Sequence, residues 1–323
     1  MKQKKYLMKN FAKLIKLTLL VVSSTLMFSC SDDDSTSSSI NSIADVASKN
    51  SNLSILVEAL QKTDLVEVLD SNGSYTVFAP TNEAFNNFLR ENNFSSLNDV
   101  PVNVLKEVLL NHVVLGANLS SNLRTGYVKT LGKGSASSTN TLSMYISTNS
   151  GVKLNGISNV IEANIGASNG VIHVVDAVIG LPTIVTHALA NPNFSSLVGA
   201  LTSNGQPNFV GILSGTTNAP FTVFAPSNDS FATFESQNPG TLASLSASQL
   251  TAVLSYHVVA GTNVLSNAIP SGPITTFESG TFSITGTTIT DEASRQTNIT
   301  AVDIQASNGV IHVINNIILP ELN

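Results

Sequence analysis

The 323-residue chain has no tryptophan and one cysteine, and only 11% of its residues are charged. A single cysteine, Cys30, excludes a disulfide within the chain. Tryptophan most often supplies the flat apolar platform for a sugar ring, so a glycan site here would have to use polar loops or Tyr127 and Tyr145. Asparagine, serine and threonine are abundant instead, a composition common on secreted surfaces.

Residue groupings that bind metals are also missing from the sequence. The histidines occur singly, and the chain has no His-Glu-x-x-His motif, no cysteine pair and no calcium-binding loop. We therefore expect neither a metal nor a cofactor.

Positive charge is scarce outside the N-terminus. Six of the fifteen basic residues lie in the first sixteen positions, so removal of that segment leaves nine basic against twenty-one acidic residues, a net charge of −12. Nucleic-acid binding needs clustered lysine and arginine to displace counterions from phosphates. The sequence therefore predicts that nucleic acid is not a partner, and it has no basic patch for a membrane surface.

Residues 1–29 have the pattern of a secretory signal peptide, with lysines followed by the apolar run Leu17–Phe28. As a helix this run spans about 18 Å, short of the roughly 30 Å hydrocarbon core of a bilayer. The stretch Leu26–Cys30 resembles a bacterial lipobox, which implies that Cys30 is lipidated and becomes the mature N-terminus. The alternative is ordinary signal-peptidase cleavage, with Cys30 discarded or free.

Residues 30–41 are nearly all serine, aspartate and threonine, and we interpret them as a flexible tether. The run Asp32–Asp34 resembles a surface-export signal of lipoproteins in some two-membraned bacteria. We expect an outer-membrane or cell-surface protein that faces outward and meets the membrane only through its lipid. An anchor facing the periplasm is the alternative.

Two phrases occur twice, about 140 residues apart. Thr76–Pro80 returns as Thr222–Pro226 with the same five residues, and Ala167–Val174 returns unchanged as Ala306–Val313. This period is longer than that of solenoid repeats, so each copy is large enough to bury a core of its own. The sequence predicts a tandem duplication.

We place the two domains at residues 42–182 and 183–323. The second copy starts directly at Thr183, with no linker rich in proline, glycine or serine. We therefore expect the two domains to touch and their relative motion to be restricted.

Each copy begins with apolar residues at helical spacing, which predicts helices. In the first copy a short strand, Tyr75–Ala79, is predicted next, and Pro80 ends it. Thr81 is predicted to cap the next helix, and Ser227 takes the same place in the second copy. Short strands follow. The pair Asn169-Gly170 is predicted to turn the chain into a central strand, Val171–Ile179, that is apolar on both faces.

A further helix is predicted over Val102–Val113, where apolar residues and His112 recur at three- and four-residue steps. His257 has the same spacing in the second copy. A histidine in such a pattern is expected to lie in the core and to form hydrogen bonds there.

The stretches Thr76–Phe85 and Ser168–Val174 resemble the two signatures of the fasciclin, or FAS1, domain family, and both recur in order in the second copy. The resemblance covers nearly all of the chain after the tether. It implies an α+β fold in each copy, a twisted wedge of strands packed with helices. It also implies an adhesion or matrix-binding module that is not an enzyme, with a surface protein, matrix or polysaccharide as its partner.

In animal relatives a Tyr-His pair between the signatures is implicated in adhesion. The resemblance therefore makes Tyr256 and His257 candidate binding residues, with Asn111 and His112 at the matching positions of the first copy. The first copy departs from the pattern, because asparagine replaces the tyrosine.

Two other functions remain open. A small apolar ligand could be carried between sheet and helices. A hydrolase could use Ser168 with His173 and Asp176, because residues 166–170 match Gly-x-Ser-x-Gly. A nucleophile elbow joins a strand to a helix, however, and Ser168 is predicted to lie in a turn between two strands. We expect no catalysis there.

Overall fold

The computed structural model describes residues 41–322. The predicted signal peptide, Cys30 and nearly all of the predicted tether therefore lie outside the described residues. Within them, two copies of an α+β fold follow one another, as the resemblance implied.

The elements of the first copy start with helices and end with a strand that returns to the first one. They are α1 (Ile43–Lys49), α2 (Ser54–Lys62), α3 (Val66–Asp70), β1 (Tyr75–Pro80), α4 (Asn82–Glu91), α5 (Val102–Leu110), β2 (Val113–Leu115), β3 (Gly126–Gly134), β4 (Ser137–Ser147), β5 (Lys153–Leu154), β6 (Ser158–Ala167) and β7 (Gly170–Val175).

The second copy repeats this order with one more short helix. Its elements are α6 (Ile184–Ala190), α7 (Ser195–Leu201), α8 (Phe209–Ser214), β8 (Phe221–Pro226), α9 (Asn228–Gln237), α10 (Thr241–Ser244), α11 (Ala247–Tyr256), β9 (Val258–Ala260), β10 (Ile274–Thr275), β11 (Thr281–Thr285), β12 (Thr288–Thr290), β13 (Gln296–Ala306) and β14 (Gly309–Ile314).

A parallel pair of strands is common to both sheets. In the first copy β1 pairs with β7 in parallel from Tyr75↔Gly170 to Pro80↔Val175, and with β2 in antiparallel. The seven strands close in the order β1 to β7. In the second copy β8 and β14 form the same parallel pair, and the sheet has the order β10-β11-β12-β13-β14-β8-β9.

Each sheet separates two apolar clusters, because side chains of a strand alternate between its faces. Val77 and Ala79 of β1 pack with the helices, and Phe78 packs on the other face with Met144 and Ile146. In the second copy Val223 and Ala225 of β8 face the helices, and Phe224 packs with the strands. The Val-Phe-Ala sequence of the first signature thus supplies both clusters.

Most predicted elements are confirmed, and two of them end earlier than predicted. Thr81 and Ser227 accept main-chain hydrogen bonds as N-caps, as predicted. The helix predicted over Val102–Val113 was too long, because α5 ends at Leu110 and the β-branched residues Val113 and Val114 begin a strand. The central strand is also shorter than predicted and ends at Val175, before Asp176.

One asparagine side chain in each second signature joins the sheet to the helices. Asn169 Oδ1 accepts from the main-chain N–H of Ile43, where α1 begins, at 2.9 Å. Its Nδ2 donates to the carbonyl oxygens of Leu69 at 2.7 Å and Ser71 at 3.0 Å, where α3 ends. We predicted only a turn-forming role for this residue.

Asn308 repeats this arrangement in the second copy. It accepts from Ile184 N–H at 3.0 Å and donates to Leu213 and Gly215 at 2.8 and 3.1 Å. The following glycine is fixed by space, since a Cβ at Gly309 would collide with the main chain of Phe221. The Asn-Gly pair therefore serves the turn and also makes contacts with residues far away in the sequence: the asparagine bonds to two helix ends, and the glycine lies against the neighbouring strand.

Replacing Asn169 by alanine should lower the free energy of unfolding by about 2–4 kcal/mol, because one N–H and two carbonyl groups in a buried region lose their partner. Asn103 is exposed in α5, and Asn103→Ala should change the free energy of unfolding by less than about 0.5 kcal/mol. Urea unfolding of both variants measures the difference. Equal stabilities would show that the asparagine does not join the two layers.

Candidate functional site

The histidines predicted as binding candidates are buried at the ends of α5 and α11. His112 Nε2 accepts from Ile179 N–H at 2.8 Å, so its Nδ1 carries the proton and donates to Val108 O at 2.7 Å. His257 makes the same bonds, with Ile318 N–H at 3.3 Å and Val253 O at 2.7 Å. Burial lowers the pKa of each imidazole to about 4. Both rings are neutral at pH 7 and join a helix end to the segment after the last strand.

Asn111 and Tyr256, which precede these histidines, are also fully buried. Asn111 donates to Gly180 O at 2.9 Å and accepts from Thr130 Oγ1 at 3.0 Å. Tyr256 donates to Thr281 O at 2.6 Å and accepts from Glu292 N–H at 3.2 Å. The two residue types therefore make different internal bonds at one position, and the binding role of all four residues stays a prediction.

A second pair of histidines, His173 and His312, connects strands to loops. His173 Nδ1 accepts from Asn164 N–H at 3.2 Å, so Nε2 donates to Asn118 O at 2.9 Å. His312 makes the equivalent bonds to Asp303 N–H and Val264 O. Their ring protons therefore lie on the opposite nitrogen from those of the first pair. The repeated Ile-His-Val was the sequence signal for these positions.

Ser168, His173 and Asp176 do not form a catalytic relay. Ser168 lies in the predicted turn between β6 and β7, and its N–H donates to Asn41 O. Both nitrogens of His173 bond to main-chain groups, and the Asp176 carboxylate accepts from Asn159. The geometry thus gives the serine no general base.

The two copies contact each other through the hairpin of β3 and β4. At its tip, Ala136 N–H and Ser135 Oγ donate to Ser307 O at 2.9 and 3.0 Å. Further along, Ser143 Oγ accepts from Gln305 N–H at 3.0 Å. These bonds confirm the predicted contact between the domains. We call this surface, formed by β3, β4, β13 and α6, the junction.

Lys129 crosses the junction with a single bond. Its Nζ donates to the main-chain oxygen of Asp303 at 2.8 Å. Burial lowers the pKa of the amine, and the nearby Asp303 carboxylate opposes this shift.

Aromatic rings occupy the centre of the junction. Tyr127 contacts His187 edge-on, with ring centroids 5.4 Å apart, and Tyr145 at 5.0 Å. His187 thus lies between the two domains, and it is fully buried. Tyr145 is buried and Tyr127 is half-buried. Little of either ring is therefore exposed for the stacking of a sugar, the role considered for them above.

The ring nitrogens of His187 are buried but have few hydrogen-bond partners. Its Nε2 lies 3.3 Å from Gln305 O, and its Nδ1 has no hydrogen-bond partner among the described residues. Burial lowers its pKa to about 4, and the nearby Lys129 ammonium adds to this shift.

Residues 41–322 contain neither a membrane-spanning helix nor a cluster of metal-binding side chains. None of their helices is both long and apolar enough to cross a bilayer. These residues also hold no group of three or more histidine, cysteine or acidic side chains placed to bind a metal ion.

A family model for the fasciclin domain matches residues 51–182 and again residues 192–320. The chain belongs to the fasciclin-domain family. Each half of it is thus one FAS1 domain. Its second signature supplies the bonds of Asn169 and His173 in the first domain and those of Asn308 and His312 in the second.

Relatives match either one copy or both. An uncharacterised Synechocystis protein, sll1735, is 37% identical over 143 residues, which is 43% of this chain and 98% of that protein. Human periostin is 28% identical over 265 residues, which is 80% of this chain but only 30% of periostin.

A solved structure matches the pair as a whole. It is a FAS1 domain pair from the insect cell adhesion molecule fasciclin I, and the match covers 84% of this chain and 97% of that chain with a TM-score of 0.52. At 20% identity this likeness supports the fold, two FAS1 domains in tandem.

Gly134→Ala should weaken the junction, because a Cβ there would collide with the main chain of Ser307. We expect stability to fall by about 1–3 kcal/mol and the two domains to melt in separate steps by calorimetry. Gly166→Ala is the control, since a Cβ there meets no atom within 4 Å. Indistinguishable melting of the two variants would show that the hairpin tip does not hold the copies together.

Acid should destabilise the protein through His112, His187 and His257. Unfolded histidines bind protons below about pH 6.5, whereas these three stay neutral in the fold down to about pH 4. Unfolding therefore takes up protons in this window, and stability should fall by up to about 1.4 kcal/mol per pH unit for each histidine. Above pH 6.5 their contribution is constant.

The variant His187→Phe removes one of these three titrating groups and keeps an aromatic ring against Tyr127. Urea unfolding between pH 4 and pH 7 should show proton uptake reduced by about one relative to the parent chain. An unchanged pH dependence would mean that His187 is not buried in its neutral form.

Proposed function

We propose that the chain is a lipid-anchored, outward-facing adhesion module that binds another surface protein, matrix or polysaccharide without catalysis. Its site of action is the outer membrane or cell surface. Membership of the fasciclin-domain family supports this proposal. So does the likeness of the whole tandem pair to a pair from a cell adhesion molecule.

The observation that carries the proposal is the junction. Main-chain and side-chain bonds from the β3–β4 hairpin reach Asp303, Gln305 and Ser307 of the second domain. Two domains held in this way present their outer loops in a constant arrangement, and such preorganisation lowers the entropic cost of binding an extended partner.

We assign recognition of the partner to exposed loops, because the polar side chains of both signatures form hydrogen bonds inside the protein. Asn111, His112, Tyr256 and His257 are proposed to act from beneath the binding surface by fixing the loops around them. Tyr256, for example, bonds to Thr281, where β11 begins, and to Glu292 in the turn between β12 and β13.

Lipidation of Cys30 is proposed to attach the module to the membrane. The lipobox-like sequence before it, and the serine- and aspartate-rich residues after it, support an anchor followed by a tether. One acyl chain alone anchors weakly, so the several chains of a lipoprotein suit stable attachment.

Deletion of the gene should lower attachment of the cells to matrix-coated surfaces severalfold, and the intact gene should restore it. Attachment is counted under flow, and surface exposure of the protein is followed by protease shaving of whole cells. A deletion strain that attaches as well as its parent would contradict adhesion.

Two complemented strains serve as controls. Cys30→Ser should remove both surface exposure and attachment, because the anchor is lost. Gly166→Ala should retain both, because an added Cβ at that position lies in open space. Loss of exposure with attachment intact would separate the anchor from the adhesive function.

A further inference from the structure

The second domain contains an apolar cavity between its helices and its sheet. The cavity has a volume of about 40 Å³ and is walled by α6, α7, α8 and β8. Its inner surface includes Ile184, Phe194, Leu197, Phe209 and Val223. The ring of His257 also lines it, but both ring nitrogens bond to main-chain groups and leave only carbon atoms for an occupant.

The same space is smaller in the first domain. Its equivalent cavity, between α2, α3 and β1, has a volume of about 10 Å³. Leu110 lines the smaller cavity of the first domain, and the shorter Ser255 takes its position in the second domain. Leu65 of the first cavity is matched by Phe209 of the second. Because one fold exists in both forms, the FAS1 fold does not require the larger cavity.

The mouth of the cavity is apolar as well. Leu189 is 63% exposed and Val210 is 39% exposed, and both line the cavity. The position that matches Leu189 in the first domain is Ser48. An exposed leucine beside an apolar cavity extends the apolar surface from the interior to the solvent.

The wall also has no formal charge. From Asp176 to Asp229 the chain contains no aspartate, glutamate, lysine or arginine between those two residues, and this stretch includes α6, α7, α8 and β8. The corresponding helices of the first domain carry charges such as Asp45, Lys49 and Glu58. A charged head group would therefore find no ionic partner in the wall.

We propose that this cavity binds the end of one slender aliphatic chain, such as that of a fatty acyl group. An apolar cavity of roughly 150 Å³ accepts benzene. At about 40 Å³ the cavity here is too small for an aromatic ring, and it has room only for the end of an aliphatic chain. The head group stays in water at the mouth, beyond Leu189.

The test uses the full chain, titrated with monomeric decanoate carrying a ¹³C methyl group and followed by NMR. Saturable binding is expected, with contacts between the decanoate methyl group and the cavity side chains. Decanol should bind with similar affinity because the wall has no charge, and benzene should not displace either probe.

Val198→Phe fills the cavity from α7 and should weaken decanoate binding at least tenfold. Val57→Phe places the same ring at the matching position of the first domain and should leave the affinity within twofold of the parent. Leu189→Ser changes only the mouth, and should weaken binding by about fourfold or more. This exposed substitution keeps the test available if Val198→Phe does not fold.

The proposal is overturned if decanoate shows no saturable binding, or if Val57→Phe and Val198→Phe weaken it equally. Binding to phosphatidylcholine vesicles without binding of monomeric decanoate would also overturn it, because the partner would then be a bilayer surface. These outcomes are independent of adhesion, which depends on other surfaces.

Discussion

A single asparagine side chain in each domain bonds the sheet to the helices, and the rest of the fold depends on it. Asn169 and Asn308 each bind one N–H and two carbonyl groups at helix ends that the helices themselves leave unsatisfied. The parallel strand pair places this side chain between the layers. The signature histidines His173 and His312 then connect strands to loops, so the asparagine and the histidine of the second signature both serve the scaffold.

The two domains differ where this scaffold does not constrain them. The β3–β4 hairpin of the first domain is long and covers the second domain, whereas β10 and β11 are short. The cavity between helices and sheet has a volume of about 10 Å³ in the first domain and about 40 Å³ in the second. Duplication thus gives one domain a contact surface for its neighbour and the other a larger apolar cavity, on the same arrangement of helices and strands.

The sequence predicted most of the fold and little of the site. Helical periodicity, the caps at Thr81 and Ser227 and the strand that begins at Tyr75 are short-range features, and the structure confirms them. The bonds of Asn169 join residues up to 126 positions apart, and no local pattern encodes their partners. The junction and the cavity depend on hairpin length and packing between helices, which spacing alone does not determine.

Hydrogen–deuterium exchange at the amides of Ile43 and Ile184 tests this account most directly. Each N–H donates to a signature asparagine, so both should exchange only through global unfolding, as slowly as amides in the centre of β1 and β8. The amides of Ile179 and Ile318, which donate to His112 and His257, should be protected in the same way. Exchange within minutes at these four amides would show that the signature asparagines and the buried histidines do not hold the two layers together.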